Sequence, residues 1–157
     1  MDAVRRKVVK TGGGATLLTL LAAAGWLKPG EALAADWNKA AFESKTLDDA
    51  YKSIAGGTPA PSKEIAFFQT PDIAENGAVV PIGVQSNLPK TESIAILVEK
   101  NPNLLAASFD IPQGTEPLVT TRVKMGQSSN VYALVKADGK YHVAFKEIKV
   151  TLGGCGG

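Results

Sequence analysis

Apolar residues recur at spacings of three and four between Asp36 and Ala55, and mostly at spacings of two after Lys63. The first pattern, carried by Trp37, Ala40, Ala41, Leu47, Ala50, Tyr51 and Ile54, predicts a helix over that whole span. Thr46 ahead of Leu47-Asp48-Asp49 is an N-cap with acidic residues in the first turn, where they oppose the positive end of the helix dipole. Gly56-Gly57 stops the helix, and Thr58-Pro59-Ala60-Pro61-Ser62 reads as a stiff connector.

The second pattern predicts seven short strands: Glu64–Thr70, Val79–Ser86, Glu92–Lys100, Leu104–Ile111, Glu116–Met125, Val131–Ala137 and Lys140–Leu152. Turn residues separate them, among them Asn76-Gly77, Asn101-Pro102-Asn103 and Asp138-Gly139. Asp138-Gly139 is the signal of a two-residue type I′ hairpin. In the third run Ile94, Ile96 and Val98 alternate with Ala95, Leu97 and Glu99; in the fifth, Val119, Thr121 and Val123 alternate with Thr120, Arg122 and Lys124. Short alternating strands with few helical breaks predict a mostly β fold, an immunoglobulin-like antiparallel sandwich preceded by a helix. The single cysteine excludes the inter-sheet disulfide of antibody domains.

The last strand changes parity. Tyr141, Val143 and Phe145 share one face, whereas Ile148, Val150 and Leu152 have the opposite register. A period-two strand that buries one face cannot hold both sets on it, so a bulge, sharp twist or change of sheet is expected near Lys146-Glu147.

The N-terminus has a different texture. Arg5-Arg6-Lys7 and Lys10 precede an apolar stretch from Ala15 to Leu27, and Ala32-Leu33-Ala34 supplies small residues for cleavage. The stretch is roughly 13 residues, short of the ~20 that span a bilayer, so no stable membrane association is expected. The arginine pair, mild hydrophobicity and Gly12-Gly13-Gly14 suit a twin-arginine signal better than the general secretory route. The expected organisation is a signal peptide at 1–34, a helical segment and linker at 35–62, a β-sandwich at 63–152 and a flexible arm at 153–157. Of the 17 basic and 15 acidic side chains, five basic and two acidic ones lie in the leader, which leaves the remainder close to neutral. Arg122 is the one arginine after the leader, and nothing in this balance points to nucleic acid.

Candidate chemistry concentrates in the arm. Gly153, Gly154, Gly156 and Gly157 flank Cys155, the only cysteine. Ordering such a segment costs about 1–2 kcal/mol per residue in backbone entropy with little burial in return, so the thiol is expected on a tether. Three residues at about 3.3–3.6 Å each put it roughly 10 Å beyond Leu152. In an exported protein a lone thiol pairs with another molecule or is chemically employed. No helix N-terminus or nearby cation lowers its pKa, so activation would come from a partner into which it inserts. The rest of the chain offers no catalytic constellation. His142 is the one histidine, reads as structural in mid-strand, and leaves a Cys/His metal site short of ligands. No metal and no cofactor are expected.

Val150-Thr151-Leu152-Gly153-Gly154-Cys155-Gly156-Gly157 resembles the C-terminal signature of the SoxY family, the carrier subunits of bacterial sulfur oxidation (Sox) systems. Val98-Glu99-Lys100-Asn101-Pro102-Asn103, Ala106–Phe109, Asp138-Gly139-Lys140 and the twin-arginine leader extend the resemblance over most of the chain. Val4 stands where such leaders usually carry Ser or Thr before the arginines. The resemblance implies a non-catalytic periplasmic carrier, heterodimeric with SoxZ, that attaches sulfur intermediates covalently to Cys155. It implies three enzymes as further partners. A c-type haem enzyme couples thiosulfate to Cys155 as a thiosulfonate. A dimanganese hydrolase releases sulfate and leaves a persulfide. A sulfane dehydrogenase with molybdenum and haem, where present, oxidises the remaining sulfur. Gly153, Gly154, Gly156 and Gly157 would form the swinging arm. A diglycine carrier of the thiocarboxylate type needs cytoplasmic adenylation, which the export signal opposes. A thiol-redox protein needs a resolving cysteine, which is absent from the sequence.

Overall fold

The chain divides between Trp37 and Asn38, and the computed structural model describes residues 38–152. The expected leader at 1–34, the start of the expected helix at 35–37 and the arm at 153–157 lie outside the described residues.

The span expected as one helix is two within these residues. Helix α1 (Lys39–Phe42) is a single turn capped by Asn38, whose side chain accepts from the Ala41 N–H at 3.1 Å. Helix α2 (Leu47–Ala55) begins at Thr46, which has extended backbone and accepts from the Asp49 N–H at 3.1 Å. A residue that caps α2 cannot also continue a helix arriving from α1, which corrects the continuous reading. Ser44 fills the break, donating to the Ala40 carbonyl at 2.9 Å and meeting the Ser53 hydroxyl at 3.3 Å. Gly56 ends α2 at φ 71°, a conformation that favours glycine.

Nine strands follow: β1 (Ala60–Pro61), β2 (Ile65–Phe68), β3 (Ile73–Ala74), β4 (Val80–Ser86), β5 (Thr91–Val98), β6 (Leu105–Asp110), β7 (Leu118–Val123), β8 (Ser129–Ala137) and β9 (Lys140–Val150). The seven longer ones lie within or beside the seven predicted runs. They form an immunoglobulin-like sandwich, one sheet ordered β1-β9-β8-β5-β6 and the other β2-β4-β7. The longer strands pair antiparallel throughout. The two-residue strands β1 and β3, which lie in segments read as connectors, both run parallel to β9. The hairpin at Asp138-Gly139 has φ of 48° and 73°, positive at both central positions as a type I′ turn requires.

Between the sheets lies a core that includes Ile82, Val84 and Val119 on one side and Ile94, Ile96, Val131, Val135 and Ile148 on the other. Gly83, midway along β4, leaves room for its neighbour: a Cβ there would sit 2.3 Å from the Phe68 carbonyl oxygen. A second cluster occupies the outer face of the larger sheet. Ala41 and Ala50 from the helices meet Ala95, Leu97, Leu105 and Leu134, with Tyr51, Tyr141 and Val143 packed around them.

This second cluster explains the parity change in β9 and corrects the expected bulge. The β8–β9 ladder runs without a register shift from Ser129↔Ile148 to Ala137↔Lys140. Tyr141 and Val143 belong to the outer cluster, whereas Ile148 belongs to the inter-sheet core. Both faces of the strand are used, so neither a bulge nor a change of sheet is needed near Lys146-Glu147. The sheet irregularities fall in β5 instead, between Ile96 and Leu97 and between Thr91 and Ser93.

Candidate functional site: the root of the C-terminal arm

Cys155 and its four flanking glycines lie outside the described residues. The structure places the segment from which they continue. Strand β9 pairs with β8 as far as Ile148, and the next four residues are held by hydrogen bonds from both sides. On the β8 side the Val150 N–H donates to Ser128 Oγ at 2.9 Å. On the other side the Lys149 N–H donates to the Asp72 carbonyl at 2.9 Å and the Thr151 N–H to the Ala74 carbonyl at 3.1 Å. Thr151 Oγ1 donates to the Glu75 carbonyl at 3.1 Å, and the Leu152 carbonyl accepts from the Gly77 N–H at 2.8 Å.

The segment that grips the root is itself fixed. Ala74 and Gly77 are buried, and the Gly77 carbonyl accepts from the Met125 N–H at 2.7 Å. Asn76 Oδ1 accepts from the Ala78 N–H at 2.8 Å, the local bond that shapes an Asx turn. Asp72 pairs with Lys146 at 3.0 Å, and the same ammonium donates to the Thr70 carbonyl at 2.5 Å. The neighbouring loops are tied together as well. Asn101 Nδ2 donates to the Lys124 carbonyl at 2.7 Å, and the Lys100 N–H donates to Ser129 Oγ at 3.0 Å. Asn101, read as part of an ordinary turn, is therefore a link between loops. Ser128 and Thr151 were not singled out from sequence; their partners are backbone groups distant in the chain. Exposed apolar side chains stand on β3, before β4 and at the root: Ile73, Val79 and Leu152.

Other groups lie elsewhere. His142 is half-buried on β9, where it pairs with Val135 and Ala60. Among the described residues no group of three or more His, Cys, Asp or Glu is placed to hold a metal ion, and no helix is long and apolar enough to cross a membrane. A cleft of about 490 Å³, lined by Leu88, Ile111, Pro117, Lys90 and Glu92 among others, sits by the Asp138 turn, at the far end of β9 from the root. Its charges are matched within the domain. Lys90 pairs with Asp138 at 2.9 Å and Lys136 with Glu92 at 2.6 Å. These hydrogen bonds hold both carboxyl groups below their usual range.

Comparison with known proteins agrees with the mostly β fold. Residues 51–155 match the family model for the sulfur oxidation protein SoxY, a match that ends on Cys155. The solved structure of the sulfur carrier protein SoxY from Chlorobium limicola f thiosulfatophilum is similar at 37% identity and a TM-score of 0.62. The similarity covers 70% of this chain and 96% of that one. A superoxide reductase (neelaredoxin) from Ignicoccus hospitalis is 18% identical with a TM-score of 0.49, over 64% of this chain and 86% of that one. No curated protein matches. The family match over most of the chain and the identity to a solved sulfur carrier place this protein in the SoxY family.

Proposed function

We propose that this chain carries sulfur intermediates of thiosulfate oxidation covalently on Cys155, presented on a swinging arm formed by Gly153, Gly154, Gly156 and Gly157. The observation that carries the reading is the family match together with the held root. The SoxY match runs to Cys155, and Leu152, three residues earlier, is hydrogen-bonded to the domain. A thiol so placed reaches roughly 10 Å from the domain, enough to enter a cleft on another protein.

Loading is an oxidation. The Cys155 thiol and thiosulfate form a sulfur–sulfur bond, giving a Cys155 thiosulfonate, one proton and two electrons. The electrons go to a c-type haem enzyme. Hydrolysis by a dimanganese enzyme then adds one water across the S–SO3 bond, releasing sulfate and leaving a persulfide on Cys155. A sulfane dehydrogenase oxidises that sulfur where the host has one. The chain itself supplies the sulfur atom and its delivery, not the catalysis, and needs no cofactor. SoxZ is the heterodimer partner, and the exposed apolar side chains of Ile73 and Phe145 offer it surface along β3 and β9. Residues 1–34 act as a twin-arginine signal to the periplasm; replacing Arg5-Arg6 by Lys-Lys should keep the protein in the cytoplasmic fraction.

Intact mass after incubation with thiosulfate and the haem enzyme tests the reading. Wild type should gain the mass of one thiosulfonate, and Cys155→Ser should gain nothing. No adduct on wild type, or one that persists in the serine variant, refutes it.

A further inference from the structure

Pairing of β9 with β8 closes at Ile148, and beyond it the short strand β3 takes over, Ile73 opposite Lys149 and Ala74 opposite Val150. The chain stays bonded for four more residues, through Lys149, Val150, Thr151 and Leu152. Burial accounts for Val150 only, because Lys149, Thr151 and Leu152 are exposed, Leu152 at 63%. Val150 alone of the four packs against the inter-sheet core, so the backbone bonds of the other three do not serve to bury their side chains. Their partners on residues 72–77 are anchored in turn to Lys146 and Met125.

We propose that residues 72–77 and Ser128 form a clamp that sets where the arm begins, with Ser128 and Thr151 as positioning residues for delivery of Cys155. The proposal rests on the carrier reading and adds a determinant to it. With the clamp closed, three residue steps separate the root from Cys155, a reach of roughly 10 Å. With it open the root retreats to Ile148 and seven steps intervene, a reach of roughly 23–25 Å. A longer tether spreads the thiol through a larger volume. Effective concentration falls about as the −3/2 power of tether length, so opening the clamp dilutes Cys155 at a partner's active site about three- to four-fold.

The test uses the full chain carrying Ser128→Ala and Thr151→Pro together. These changes remove the Ser128 hydroxyl and both donors of Thr151, and proline suits this place because the preceding Val150 is already extended. Three quantities are followed: the rate of thiosulfate loading by the haem enzyme, alkylation of Cys155 by iodoacetamide, and thermal stability. The Lys149 bond to Asp72 remains, so loading should fall by about two- to three-fold, with alkylation unchanged and the thermal transition intact. In wild type the Thr151 amide should exchange slowly with solvent. Should the proline variant fold poorly, Ser128→Ala with Thr151→Val leaves the backbone donors in place and should give a smaller fall. Loading at the wild-type rate or faster in either variant overturns the clamp, as does a wild-type Thr151 amide that exchanges like free chain. Absence of any adduct on wild type would instead remove the carrier reading, so the two failures are distinguishable.

Discussion

Tyr51 on α2 packs at the edge of the outer cluster, against the larger sheet. Burial pushes its pKa up to about 12 from the ordinary 10.0, with Tyr132, Glu99 and Asp48 adding in the same direction. The folded state therefore favours the neutral phenol more than the unfolded chain does. Its contribution to stability is complete below about pH 10 and is lost as the pH rises from there through about 12. Alkaline titration followed by tyrosinate absorbance should show a tyrosine that ionises near 12 and that Tyr51→Phe abolishes. The same variant should lose stability less steeply across that window. A Tyr51 that ionises near the ordinary value would mean that α2 does not cover it. The carboxylates behave in the opposite sense. Glu92 is held down by the hydrogen bond from Lys136 and then by the Gly139 N–H, and Asp138 by Lys90. Their stabilisation is present above the ordinary carboxylate pKa and is lost as the pH falls through the lowered value. All four side chains are at least a third exposed, so solvent screening keeps these pairs minor.

At the scale of elements, strand β9 shows what alternation reveals and what it omits. Sequence placed the strand and its entry turn, because Asp138-Gly139 demands positive φ at both positions and the structure has it. The parity change was equally visible, yet its cause was not. Alternation reports which residues share a face, and it does not say whether the other face is covered. Here α1 and α2 cover it, so a strand with two apolar sets needs no irregularity. Spacing likewise runs from Trp37 to Ile54 across the break between the helices, which the N-cap signal of Thr46 marked and Ser44 fills. Strands β1 and β3 carry two residues each, too few for any periodic signal. The two-faced reading of β9 separates two neighbours. Ile148 is fully buried between the sheets, so Ile148→Ala should cost about 2–5 kcal/mol. Phe145 is 64% exposed and meets Tyr132 at a ring-centroid distance of 5.5 Å. Its replacement by alanine should cost about 1 kcal/mol, the scale of one aromatic pair. Urea unfolding midpoints measure both, and equal costs would contradict the assigned faces.

For the whole molecule, the carrier reading assigns stability and delivery to different residues of one chain. The inter-sheet core and the helix-covered face lie within residues 38–152, and the SoxY match carries on to Cys155. The candidate thiol was legible in sequence because a lone cysteine among four glycines is unusual in itself. The root before it was not, since its hydrogen bonds other than those to Ser128 end on backbone atoms of residues 72–77, and backbone atoms leave no residue signature. This division makes a prediction about glycine. On the carrier reading, Gly154→Val restricts the backbone beside Cys155 and adds a branched side chain where a partner's channel must admit the thiol. The two apolar clusters of the described residues are assembled from positions 41–150, so the thermal transition should match wild type. Loading by the haem enzyme should slow by about tenfold or more, the scale on which misplacement of a reacting group is felt. Wild-type loading would show that the arm does not act by passing through a narrow opening. A lowered thermal transition would show that the arm contributes to the domain after all, and delivery could then not be separated from folding.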